Sequence, residues 1–99
     1  MDAEIHDNTA LHRYEIEVDG VTAYVLYRRK PGVITFVHTE VPKALAGKGI
    51  GSRLARHVLE AARAEGLKVV PFCPFIAAWM KKHPEYDDLL LSDPDRAEA

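Results

Sequence analysis

Ninety-nine residues, 47% of them hydrophobic and 28% charged, with a formal net charge of -2, make a chain long enough for one cored domain and too short for two. The balance lacks the basic excess that phosphate-backbone binding demands, so nucleic acid is excluded as an expected partner. No apolar run approaches the roughly 20 residues that span a bilayer, and Met1-Asp2-Ala3-Glu4 has neither the basic start nor the apolar stretch of a signal peptide; the expected location is cytoplasmic, away from membranes.

The expected single domain covers residues 1–99, with its ordered part at about 11–90. Met1 to Leu11 is polar and aperiodic, and Ser92 to Ala99 is charged and poor in apolar residues, so both ends are expected to be weakly ordered. Arg13, Glu15 and Glu17 alternate with Tyr14, Ile16 and Val18, the pattern of a half-buried strand, and Asp19-Gly20 supplies a tight hairpin. A second strand runs from Val21 to about Arg29, and Lys30-Pro31-Gly32 turns the chain into a third, from Val33 to about Val41. From Gly49 to Glu65 the residues Ile50, Leu54, Ala55, Val58, Leu59 and Ala62 recur at helical spacing, and Gly66 ends that helix. Leu67 to Phe72 is short and apolar enough for a buried strand; Phe75 to Lys82 fits a short helix limited by Pro84.

The predicted class is therefore α/β in the α+β sense: an antiparallel meander followed by a βαβ unit and a short C-terminal helix. A right-handed crossover makes the third and last strands parallel, and such units carry their chemistry at the carboxyl ends of the strands. Two segments converge there, His38-Thr39-Glu40-Val41 with the loop that follows, and Pro71-Phe72-Cys73-Pro74.

The loop is Gly47-Lys48-Gly49-Ile50-Gly51-Ser52. Glycine at every second position lets backbone approach a ligand closely, and the helix start presents unpaired amides to an anion. The segment reads as a pyrophosphate cradle in which Ser52 adds a hydroxyl; a plain strand-to-helix turn is the other reading. It matches neither a Walker A loop nor the dinucleotide pattern G-x-G-x-x-G, whose last glycine is replaced by Ser52.

Val37-His38-Thr39-Glu40-Val41, the glycine loop with Arg53-Leu54, Val70-Pro71-Phe72-Cys73-Pro74-Phe75 and Lys82-His83-Pro84-Glu85-Tyr86 together resemble the small YjdJ-type branch of the Gcn5-related N-acetyltransferases. The family's loop pattern is Q/R-x-x-G-x-G/A; Ala46 stands at the Gln or Arg position, while Gly49 and Gly51 are kept. The resemblance implies a compact fold of that family and acetyl-coenzyme A as co-substrate, with the pantetheine arm in a gap between the two parallel strands. It places pantetheine amides against backbone near Glu40 and Val41, Pro74 and Phe75 along the cofactor, and Lys81 or Lys82 at the nucleotide phosphates. It also makes Cys73 and His38 the candidate active-site pair beside the thioester.

Acetyl transfer needs a base for the acceptor, a proton donor for the departing thiolate, and amides to polarise the carbonyl. Imidazole is the side chain most often used as such a base, and His38 is the candidate. Cys73, the only cysteine, lacks an intrachain disulfide partner. It is either a small buried hydrophobe or a functional thiol that attacks the thioester, giving an acetyl-cysteine, or protonates the leaving coenzyme A; the covalent route is the one first favoured. The remaining histidines show no ligand spacing, so no metal is expected. Larger family members wall the acceptor site with helices between their first two strands, where this chain is expected to have only Asp19-Gly20. An open site suits an exposed amine on a protein or polyamine. A coenzyme A binding module without catalysis is the alternative.

Overall fold

The computed structural model describes residues 4–91. Five strands form one sheet in sequence order: β1 (Ile5–Asn8), β2 (Arg13–Val18), β3 (Val21–Lys30), β4 (Val33–Glu40) and β5 (Lys68–Pro71), with α1 (Ile50–Glu65) between β4 and β5 and α2 (Pro74–Lys81) after them. The first four strands are antiparallel neighbours and β4 and β5 are parallel, as the meander and crossover predict.

β1 corrects the expectation of a weakly ordered start. Ile5 lies opposite Ile16 and Asp7 opposite Tyr14, and the Asp7 carboxylate accepts the Tyr27 hydroxyl and the Arg29 guanidinium. His6, Asp7 and Asn8 hide this strand from a hydrophobic pattern because its anchoring is largely polar. The expected tail from Ser92 to Ala99 lies outside the described residues. Asp19-Gly20, both at positive φ, closes the hairpin from β2 to β3 rather than the first hairpin; β1 and β2 are joined by the turn at residues 9–12. β4 stops at Glu40, one residue short of the expected Val41.

Every fully buried strand residue lies on one face of the sheet: Tyr14 and Ile16 on β2, Ala23, Val25 and Tyr27 on β3, Ile34 and Phe36 on β4, and Val69 on β5. The helices cover that face. α1 buries the predicted stripe of Ile50, Leu54, Ala55, Val58, Leu59 and Ala62, and ends as Gly66 turns left-handed while Leu67 N–H reaches the Ala62 carbonyl at 2.9 Å. α2 takes Pro74 in its first turn, where the missing N–H costs nothing, and buries Ile76, Trp79 and Met80. Pro84 does more than limit α2, since it opens a 3-10 helix at Pro84–Leu89 that buries Tyr86 and Leu89. The Tyr86 hydroxyl donates to Glu60 at 2.6 Å, and Arg63 reaches Asp88 at 2.7 Å, so this last segment is fastened along α1.

Arg29 fastens the other end, bonding Glu65 of α1 at 2.9 Å while it also meets Asp7 and Tyr14. Beneath it, burial and then the hydrogen bond to Asp7 hold the Tyr27 phenol up at about 12. An unfolded tyrosine ionises near 10, so this contribution to stability is complete below about pH 10 and is lost as pH rises towards 12. Urea unfolding across that window is expected to show a falling midpoint in the parent protein and a shallower fall in Tyr27→Phe.

Candidate functional site

The site begins where β4 and β5 part. Their parallel pairing runs through Val33↔Lys68, Ile34↔Val69, Thr35↔Val70 and Phe36↔Pro71 and goes no further. Pro71 has no N–H to continue the ladder; Phe72 N–H turns back to the Val70 carbonyl at 3.0 Å, and Cys73 N–H then reaches the Phe36 carbonyl at 2.8 Å. Beyond Phe36, β4 continues to Glu40 without a β5 partner. A gap bounded by Val37 to Glu40 and by Cys73 at the start of α2 is the result.

A bulge decides which side chains face the gap from each side. Leu26 pairs with His38 and Tyr27 with Phe36, so Val37 is an extra residue in β4, and the alternation of faces slips by one there. Thr39, opposite the buried Val25, turns to the helix-covered face, where its Oγ1 lies 3.3 Å from the Cys73 Sγ. His38 and Glu40 turn to the open face. There His38 Nε2 lies 3.2 Å from a Glu40 carboxylate oxygen, with both side chains about half exposed (52% and 49%), and Tyr24 is their neighbour, its ring centroid 6.4 Å from that of His38.

The candidate catalytic pair is therefore brought to one gap but not into contact. Cys73 is 3% exposed and has Thr39, not His38, as its side-chain partner. Glu40, expected to contribute backbone, has a side chain that engages His38. Thr39 is the residue sequence reasoning passed over; it stands inside the quoted motif, and only an allowance for a bulge would have aimed it at Cys73.

The glycine loop follows a 3-10 turn, Lys43–Leu45, pinned by the buried Leu45. Gly47 and Gly49 have φ of 79° and 74°, and a Cβ on either would meet nothing within 4 Å; they are glycine because of backbone angle, and the space over them is open. Gly51 has the reverse reason. Its φ is ordinary, but a Cβ would come within 2.8 Å of the Phe75 ring, so the ring of α2 rests on the first turn of α1. The first backbone bond of α1 runs from Arg53 N–H to the Gly49 carbonyl at 3.1 Å, leaving the amides of Ile50, Gly51 and Ser52 without intrahelical partners. Among the described residues no side chain caps them, and no acid occupies the first turn. Such a start is receptive to an anion, and Lys48 is exposed beside it.

A cleft of about 360 Å³ continues from there between the helices, lined by Ser52, Phe75, Ala78, Trp79, Lys82 and His83. Trp79 is buried and donates its indole N–H to Ser52 Oγ at 3.2 Å, which makes it a strut between α1 and α2. His83 stacks on it with centroids 3.6 Å apart. Pro74 and Phe75 are exposed at the near end of α2, and Lys81 and Lys82 at its far end, while Val41 is half-buried against the core. The cleft and the glycine loop offer amides, a hydroxyl and cations suited to a pyrophosphate-containing ligand.

A family model described as GCN5-related N-acetyl-transferase matches residues 13–89. The chain belongs to this family of enzymes. Among solved structures, the solution NMR structure of a GCN5-like protein from Staphylococcus aureus superposes with a TM-score of 0.72 at 29% sequence identity, covering 94% of this chain and 92% of that one. The chain is also similar to Protein NATD1 of Gallus gallus and of Homo sapiens, at 36% identity over 52 residues, or 52% of this chain and 47% and 46% of those proteins. The match thus spans about half the length of these curated relatives.

The two kinds of loop glycine should separate on substitution. Gly49→Ala forces a side chain into the left-handed region and is expected to cost about 1–2 kcal/mol in urea unfolding; Gly51→Ala, which needs only a shift of the Phe75 ring, is expected to cost less.

Proposed function

We propose that this protein is an acetyl-coenzyme A dependent N-acetyltransferase of the small YjdJ-type branch, acting in the cytoplasm on an exposed amine. The observation that carries the reading is the acid-free start of α1, uncapped among the described residues, with the Phe75 ring of α2 resting on it two residues on from Cys73. In this reading the pyrophosphate lies on the amides of Ile50, Gly51 and Ser52, with Gly47, Lys48 and Gly49 around it. The pantetheine arm enters the gap along the backbone of Glu40 and Val41, Pro74 and Phe75 border it, and Lys82 meets a nucleotide phosphate.

The arrangement favours direct transfer over the acetyl-cysteine first expected. A nucleophilic thiol needs a base or strong positive field to be a thiolate, and the Sγ partner is a hydroxyl. His38 instead stands on the open face with Glu40 to orient its ring, where it can take the proton of an acceptor amine. Cys73, on the covered side, is suited to protonate the departing coenzyme A sulfur. The open face carries no fully buried strand residue, which suits an amine on a protein or polyamine.

Coenzyme A at about 100 times its Kd is expected to stabilise the fold by roughly 2.7 kcal/mol, read as a thermal shift. With a panel of amines, Cys73→Ala and His38→Ala are each expected to lower kcat about 100-fold or more, and intact mass after incubation with acetyl-coenzyme A is expected to show no stable adduct. An acetyl adduct that Cys73→Ala abolishes would restore the covalent route. Stabilisation without transfer to any amine would leave a coenzyme A binding module, and no stabilisation would defeat both.

A further inference from the structure

We infer that Thr39 is a positioning residue for Cys73, its hydroxyl serving the sulfur in both protonation states that proton donation requires; this rests on the acetyl-transfer reading above. In that reaction the acceptor nitrogen attacks the thioester carbonyl carbon and gives a proton to His38. The carbon–sulfur bond breaks, and the departing sulfur takes the proton of the Cys73 thiol. Cys73 is left a thiolate, and both residues return to their starting states by exchanging one proton each with water.

That thiolate forms at a position 3% exposed, where water is scarce and an unsatisfied charge is costly. Thr39 Oγ1 is 3.3 Å from Sγ, and a hydroxyl carries one donor and two acceptor sites. It can accept from the resting thiol and rotate to donate to the thiolate. Among the described residues, the sulfur has no charged hydrogen-bond partner. α2 has no acid in its first turn and its Lys81 lies in the last; Lys68 opens β5 at the far end from Pro71; His38 and Glu40 face the other side of β4. Cys73 Sγ makes no cap hydrogen bond to the α2 amides, and among the described residues Thr39 is its one side-chain hydrogen-bond partner. The bulge at Val37 puts it there, since unbroken alternation from Ile34 and Phe36 would have turned residue 39 away.

The test is alkylation of the single cysteine by iodoacetamide across pH, followed by intact mass, in the parent protein, Thr39→Val and Thr39→Ser, with Thr39→Ala in reserve should the valine variant not fold. Without the hydroxyl, the pH of half-maximal alkylation rate is expected to rise by about one unit, and serine is expected to restore it. In transfer assays the valine variant is expected to lose roughly 10- to 100-fold in kcat, the range for a hydrogen bond to a charged group, with KM for acetyl-coenzyme A unchanged. An alkylation profile that does not move in the hydroxyl-free variants overturns the inference, whatever becomes of kcat. Because alkylation needs neither acetyl-coenzyme A nor acceptor, a profile that moves in a protein without transferase activity would support the coupling of Thr39 to Cys73 while defeating the acetyl-transfer reading.

Discussion

Two parallel strands that stop pairing after Phe36 and Pro71 set the geometry of everything proposed for this protein. Pro71 cannot donate to the ladder, and Pro74 commits the chain to α2 three residues later, so β5 has no way to follow β4 to its end. What would have been a closed sheet edge becomes a gap with backbone of β4 on one side and a helix start on the other. The start of α1 lies against the start of α2 because Gly51 leaves room for the Phe75 ring. A glycine loop, a gap and a buried thiol are thereby joined by a handful of backbone constraints rather than by a carved interior pocket.

The asymmetry of the sheet is the second organising fact. One face carries the whole apolar core under α1 and α2, while the other carries Tyr24, His38 and Glu40. The bulge at Val37 distributes the candidate chemistry across these faces, with Thr39 on the covered side and its neighbours on the open one. In the proposed reading, a site divided in this way keeps the base where an acceptor would arrive and the thiol where water does not. The polar fastening of β1 through Asp7, Tyr27 and Arg29 lies away from that site and serves the fold.

Much of this was legible in the sequence because it rests on local rules. The stripe from Ile50 to Ala62, the stop at Gly66, the Asp19-Gly20 hairpin and the run of glycines each carry their own physical reason. What escaped was non-local. β1 is held by polar partners that are close only after folding, and the 3-10 helix at Pro84–Leu89 is ordered by Glu60 and Arg63 on a distant element. The faces of His38 and Thr39 were hidden for a sharper reason: alternation along Ile34, Phe36 and His38 is regular in the sequence, and the extra residue that breaks it is visible only in the register with Leu26 and Tyr27. Whether glycines make a cradle or a turn was likewise undecidable from spacing; the open space above Gly47 and Gly49 and the amides after them, uncapped among the described residues, are what the proposed cradle rests on.

The central claim is that one path, from the start of α1 into the β4 and β5 gap, holds coenzyme A. Backbone amide NMR during titration with coenzyme A tests it most directly. The account predicts the largest shifts at Gly49, Ile50, Gly51 and Ser52, with a second group at Thr39, Val41 and Cys73 and little change on β1. Saturating coenzyme A that leaves those amides unmoved, or shifts confined to the open face of β2 and β3, would contradict it.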